Sequence, residues 1–109
     1  MMTLEQLLKL IKYVTGWEIS FWKLMKISEK GVNLTRLFNT KHGYNKPYQV
    51  DGLPDRLFEP LENGAHEGEK IDRDELEKAL KTYYQIRGWD DNGILTYGKF
   101  VELGIEELY

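Results

Sequence analysis

The side chains that could do chemistry are few, and their spacing argues against most kinds of it. None of the 109 residues is a cysteine. Within this sequence that excludes a disulfide framework, a thiolate zinc site, a Cys-ligated iron–sulfur cluster and a Cys nucleophile. The two histidines, His42 and His66, lie among turn residues. With no third ligand at metal-binding spacing they read as surface side chains. Asp90-Asp91-Asn92-Gly93 has the outline of a calcium loop. Placing Gly93 sixth puts Gly88 first and Lys99 last, so the first ligand and the bidentate carboxylate are both missing. The segment reads instead as a tight turn, for which Asp, Asn and Gly are suited. The acids Glu67, Glu69, Asp72, Asp74, Glu75 and Glu77 could pair for acid–base work. Most of them stand at a helix start, where the macrodipole favours negative charge in any case. No Ser-His-Asp order, Gly-rich phosphate loop or dinucleotide fingerprint occurs. The sequence therefore offers no catalytic, cofactor-binding or metal-ligating residue.

The residues left to explain are aromatic. Trp17, Trp22, Trp89 and the pair Tyr83-Tyr84 are large enough to anchor either a core or an interface. Trp17 and Trp89 each follow a Gly that stops a helix, where the side chain usually folds back on its own helix. Core packing is the simpler expectation for all five; a partner-docking surface is the functional alternative.

These side chains must be positioned by helices. Thr3 with Gln6 forms a capping box ahead of Leu4, Leu7, Leu8, Ile11 and Val14, which recur at helical spacing, and Thr15-Gly16 ends the run. Ser20 caps a second helix that carries Phe21, Leu24, Met25, Ile27, Leu34, Leu37 and Phe38 to about Lys41. Gly31 is its weak point, at roughly 1 kcal/mol against Ala. Asp72 with Glu75 starts a third helix that carries Leu76, Ala79, Leu80, Tyr83 and Tyr84 and ends at Gly88. Thr96 caps a short fourth that runs through Leu103 to Gly104. The pairs Met2/Leu7, Ile19/Leu24, Ile71/Leu76 and Leu95/Phe100 repeat hydrophobic-staple spacing at all four starts.

Between helices two and three, residues 42–70 have no long element. His42-Gly43-Tyr44-Asn45-Lys46-Pro47 is turn-rich. Leu53-Pro54-Asp55-Arg56-Leu57-Phe58 forms one helical turn with Pro54 in its first turn. Turns at Glu62-Asn63-Gly64 and Glu67-Gly68-Glu69 flank a short extended piece. Such a segment either straps across the fold through Leu53, Leu57, Phe58 and Leu61 or lies against a partner. The expected fold is a small all-α, multihelical domain of about four helices with a long irregular connection at 42–70, in one domain over 1–109.

Composition fits a folded soluble chain. Apolar residues make up 41% and aromatics number 14, too many for disorder. A chain of this length buries roughly two-thirds of its unfolded surface without metal or disulfide. Its apolar runs are too short to span a membrane or form a visible signal peptide, so the expected location is the cytoplasm. Charge is uneven: residues 1–50 carry eight Lys and Arg against three acids, and residues 51–109 carry seven against fifteen. The overall charge of −3 and the lack of a recognition motif argue against nucleic-acid binding. A homo-oligomer is compatible with the sequence.

The wording of five segments then matters. Thr15-Gly16-Trp17-Glu18, Asn33-Leu34-Thr35-Arg36-Leu37-Phe38-Asn39, Leu53-Pro54-Asp55-Arg56-Leu57, Tyr83-Tyr84-Gln85-Ile86-Arg87-Gly88-Trp89 and Leu103-Gly104-Ile105 occur in that order. In order, spacing and wording they resemble the carboxyl-terminal end of the tungsten-dependent aldehyde:ferredoxin oxidoreductases, over essentially the whole chain. That family's tail reads much as T-G-W-[DEN], N-x-E-R-L-F-N, L-P-x-R-[LF], Y-Y-x-[LI]-R-G-W and L-G-[IL]. Two departures stand out. Gly31-Val32 occupies the place of a bulky apolar pair, and Thr35 that of the Glu; the lost bulk leaves a cavity unless the fold closes around it, which implies relaxed requirements or a different neighbour.

The resemblance implies a mostly helical carboxyl-terminal region. It belongs to enzymes that oxidise aldehydes to acids at a tungstopterin centre and pass electrons through a [4Fe–4S] cluster to ferredoxin. The family's pterin-binding domain and all four of its cluster cysteines lie outside the stretch that this chain resembles, so no family site residue carries over and the chain binds neither cofactor. The expected role is that of a stand-alone fragment or subunit that completes a separately encoded oxidoreductase chain, with no activity of its own. The alternatives are a non-catalytic interaction module, a decayed remnant without an enzyme partner, and a piece cut from a larger enzyme.

Overall fold

A computed structural model describes residues 1–44 and 51–109. Four α-helices account for most of it: α1, Leu4–Thr15; α2, Phe21–Lys41; α3, Arg73–Arg87; and α4, Tyr97–Leu103. Single 3-10 turns occur at Asp55–Phe58 and Glu106–Leu108. The described residues contain no strand, only an isolated antiparallel bridge between Trp89 and Leu95. The all-α expectation and its four helix starts hold. So does the irregular connection, except that Asn45, Lys46 and Pro47 lie outside the described residues.

Each start is fixed by local chemistry. The Thr3 hydroxyl accepts the Gln6 N–H at 3.2 Å, and the Gln6 side-chain oxygen accepts the Thr3 N–H at 2.9 Å. Two of the orphan donors of α1 are thereby satisfied reciprocally. The Ser20 hydroxyl accepts the Lys23 N–H at 3.1 Å. Asp72 accepts from Asp74 and Glu75 at 2.8 and 3.2 Å, and Thr96 caps α4 through the Lys99 N–H. Gly31 sits inside α2 without breaking it.

The chain divides into two compact units, Met1–Thr35 and Arg36–Tyr109. The buried apolar residues Leu37, Tyr84, Trp89, Leu95, Phe100, Leu103 and Ile105 all belong to the second. The first buries Asn33, whose amide donates to the Glu29 carbonyl at 2.8 Å, but no apolar side chain. α1 buries no residue at all.

In the second unit the connection is held by short backbone links. Pro54 precedes the Asp55–Phe58 turn. Arg73 reaches Asp55 at 3.0 Å and lays its guanidinium 3.8 Å from the centre of the Phe58 ring. The Leu61 N–H bonds the Glu69 carbonyl at 3.0 Å, and the Gly68 N–H returns to Leu61 at 2.8 Å. The expected extended piece between the two turns is absent, because these bonds close 61–69 into a tight loop and put Ala65 and His66 inside a turn. Leu53, Leu57 and Leu61 stay exposed and Phe58 is half-buried.

Candidate functional site

The ends of the helices decide which aromatics are buried. After α3, the Gly88 N–H bonds the Gln85 carbonyl and the Trp89 N–H the Tyr84 carbonyl, at 3.1 and 2.8 Å. This is a complete Schellman motif, and it folds Trp89 back onto its own helix. The ring lies 6.0 Å from that of Tyr84 and 5.7 Å, edge-on, from that of Tyr83. α4 ends in the same way: Gly104 bonds Val101, Ile105 bonds Phe100, and Ile105 is buried. α1 ends differently. Its Gly16 N–H bonds Lys12, but the Trp17 N–H is taken by the Thr15 hydroxyl at 3.1 Å. Without the second backbone bond the chain does not return, and Trp17 is 61% exposed. The expectation that Trp17 folds back therefore fails, for a reason written in the residue before the Gly. Trp22 is 68% exposed and Tyr83 about half, whereas Tyr84 and Trp89 are 1% and 6% exposed.

Within the second unit, Tyr84 and Trp89 belong to a polar clamp. Arg36 grips the Asp51 carboxylate with both terminal nitrogens, at 2.9 and 2.7 Å, and its Nε donates to the Gly93 carbonyl at 2.8 Å. The Tyr84 hydroxyl donates to the same carboxylate at 2.5 Å. The Arg36 guanidinium lies 4.6 Å from the centre of the Trp89 ring and 5.6 Å from that of Tyr84, within cation–π range. Its fork matches the carboxylate in a way Lys could not. Arg87 also lies over Trp89, at 5.4 Å. Its Nε and Nη2 are buried without a hydrogen-bond partner among the described residues.

The charges of the clamp hold one another in place. Burial works against ionised Asp51, but the hydrogen bonds from Arg36 and Tyr84 outweigh it and keep the carboxyl below its ordinary value. Burial likewise works against the Arg36 cation, and Asp51 more than restores it. Burial first, and then the bond to Asp51, push the Tyr84 phenol up to about 12. The folded site thus favours charged Arg36 and Asp51 and neutral Tyr84. Such a site supports a fold and offers no group poised for proton transfer near neutral pH.

Gly93 completes the turn at 90–93. The Asp90 carboxylate accepts the Asn92 and Ile94 N–H groups at 2.8 and 3.1 Å, so that acid is spent on the turn, as the tight-turn reading requires. Gly93 has φ +74°, and a Cβ there would meet Arg36 Nη2 at 2.1 Å. Of the other candidates, His42 Nδ1 sits 2.8 Å from the Phe38 carbonyl, with its ring stacked on Phe38 at 4.2 Å. His66 faces Glu69 at 3.1 Å. Among the described residues no three His, Cys, Asp or Glu side chains come together as a metal site.

Sequence reasoning missed Arg36, Asp51 and Gly93 as members of one site. A signal existed: Asn33, Arg36, Leu37 and Thr40 share one face of α2 at i, i+3, i+4 and i+7. Asn33, Leu37 and Thr40 are buried there, and only Leu37 would stand out in a search for apolar periodicity.

The first unit carries the other feature. The apolar stripe of α1 is covered only in part: Leu4, Leu10 and Val14 are exposed, and Leu7, Leu8 and Ile11 are half-buried. Two hollows of about 370 and 300 Å³ share Trp17, Glu18 and Ile19 in their lining. Leu8, Lys9 and Lys12 of α1 line the first; Lys23 and Ile27 of α2 line the second. Lys12 pairs with Glu18 at 2.8 Å, which raises the pKa of the Lys and lowers that of the Glu through their hydrogen bond.

The second unit is thus a helical unit in which Arg36, Asp51, Tyr84 and Gly93 form one hydrogen-bonded clamp. The sequence model described as "Aldehyde ferredoxin oxidoreductase, domains 2 & 3" matches residues 1–105, and the chain belongs to that family. It is 40% identical over 93 residues to the tungsten-containing aldehyde ferredoxin oxidoreductase of Pyrococcus abyssi, covering 84% of this chain and 15% of that protein. The Pyrococcus furiosus enzyme of the same name is 38% identical over 101 residues, covering 92% and 16%. The aliphatic sulfonate oxidoreductase, WOR-like subunit, of P. furiosus is 30% identical over 108 residues, covering 94% and 17%. The chain thus spans about one-sixth of the length of these relatives. The relatives in the first two cases are tungsten enzymes by name. The residues present here do not fit an iron–sulfur cluster, because the chain has no thiolate to offer.

Proposed function

We propose that this chain is a non-ligating helical part of an aldehyde ferredoxin oxidoreductase-type enzyme. It docks onto a separately encoded chain that carries the tungstopterin and the [4Fe–4S] cluster, and completes that chain's carboxyl-terminal region. It binds neither cofactor and has no activity by itself. The observation that carries this is the partly uncovered apolar stripe of α1 in a chain matching only about a sixth of its relatives. A surface helix normally turns such a stripe to a core. The clamp is what the chain contributes: Arg36, Asp51, Tyr84 and Gly93 tie the second unit together through their own hydrogen bonds. The name of one relative, "WOR-like subunit", supports an assembly of more than one chain. A cytoplasmic location follows on this reading; among the described residues no helix is long and apolar enough to cross a membrane.

The test is affinity capture of the tagged chain from its native cells, with tungsten and iron assayed in the eluate. A larger chain of the same family arriving with both metals is the expected result. A metal-free chain with no companion would leave it a solitary interaction module or remnant and refute the proposal.

A further inference from the structure

We infer that the two hollows lined by Trp17 are the docking surface, and that their occupant is the metal-bearing chain proposed above, presenting apolar side chains within an acidic rim. The inference rests on that functional reading and adds the face and the partner's chemistry.

Three observations carry it. First, an indole 61% exposed lines two hollows whose walls mix Leu8, Ile19 and Ile27 with Lys and Glu side chains, an anchor of the kind that dominates interfaces. Its position is built in, because the Thr15 hydroxyl withholds the backbone bond that would fold it away. Second, Met1–Thr35 carries five Lys against three Glu. Each Glu is engaged by a Lys, in the pairs Glu5–Lys9, Glu18–Lys12 and Glu29–Lys26. Lys23 and Lys30 supply the surplus, and Lys23 lines the second hollow. A complementary surface is acidic at its edge. Third, more than four-fifths of each relative lies outside the matched segment, so each has ample chain to cover this face.

The test compares variants of the full tagged chain in the capture and metal assay. Trp17→Ala and Ile27→Lys alter the hollows from different elements, and Lys23→Glu reverses the rim. Ile86→Ala, an exposed site in the second unit, is the control. Circular dichroism checks that each variant folds. The expected result is that wild type and Ile86→Ala retain a tungsten- and iron-bearing chain, while Trp17→Ala and Ile27→Lys retain about tenfold less. Lys23→Glu falls between them and loses its difference from wild type at high salt. Hollow variants that capture as much as wild type would overturn the face and leave the functional reading standing. No metal-bearing chain with any variant, wild type included, would remove both. A purified wild-type dimer that Ile27→Lys dissolves would make a second copy the occupant and overturn the inference.

Discussion

Trp89 and Tyr84 show how much a single side chain decides here. Trp89 is almost fully buried and touches two tyrosines and two guanidinium groups. Trp89→Ala should lower unfolding stability by about 3–5 kcal/mol, the usual range for a large buried aromatic; chemical denaturation measures it. Tyr84 makes stability depend on pH at the alkaline end. Its folded pKa of about 12 lies above its ordinary 10.0, so the folded state binds the phenolic proton more tightly. That contribution is complete below the ordinary value and is lost as pH rises through the folded one. Asp51 acts at the acid end with the opposite sign: its depressed pKa gives stability above the ordinary 3.8 that is lost as pH falls through its folded value. Tyr84→Phe should be less stable near neutrality and flatter in stability between pH 10 and about 12; denaturation midpoints across that range check both.

At the scale of elements, what was legible in the sequence was local. Thr3/Gln6, Ser20, Asp72 and Thr96 announce helix starts because a cap needs only a hydroxyl or carboxylate and the next three residues. Gly16, Gly88 and Gly104 announce the stops for the same reason. The clamp was not legible, because Arg36 meets a carboxylate 15 residues away and a carbonyl 57 away, and no local rule links them. The fate of Trp17 was legible in principle: Thr15 stands next to the Gly, and its hydroxyl competes for the N–H that a Schellman motif needs. The Gly93 turn joins local and distant requirements, and a pair of substitutions separates them. Gly104→Ala pays only for a left-handed residue (φ +68°, nothing within 4 Å of a Cβ), about 1–2 kcal/mol. Gly93→Ala has the same backbone strain and must also displace Arg36. It should be the more destabilising by about 1–3 kcal/mol, the size of a disrupted charged hydrogen bond. Equal losses in thermal or urea unfolding would mean that the clamp yields freely.

At the scale of the molecule, the two units differ in what holds them. Arg36–Tyr109 has an apolar core and a clamp; Met1–Thr35 has capped helices and no buried apolar side chain. A 12-residue helix with no fully buried side chain is marginal in water. The match over residues 1–105 shows the family, and on the proposed reading the first unit is the face that a partner chain covers. Native-state hydrogen exchange of α1, in the purified chain and in the captured complex, tests this most directly. The account predicts fast exchange of the α1 amides in the chain alone, strong protection in the complex with the metal-bearing chain, and little change in α3 and α4. Equal protection of α1 in both states would contradict it, because α1 would then need no partner.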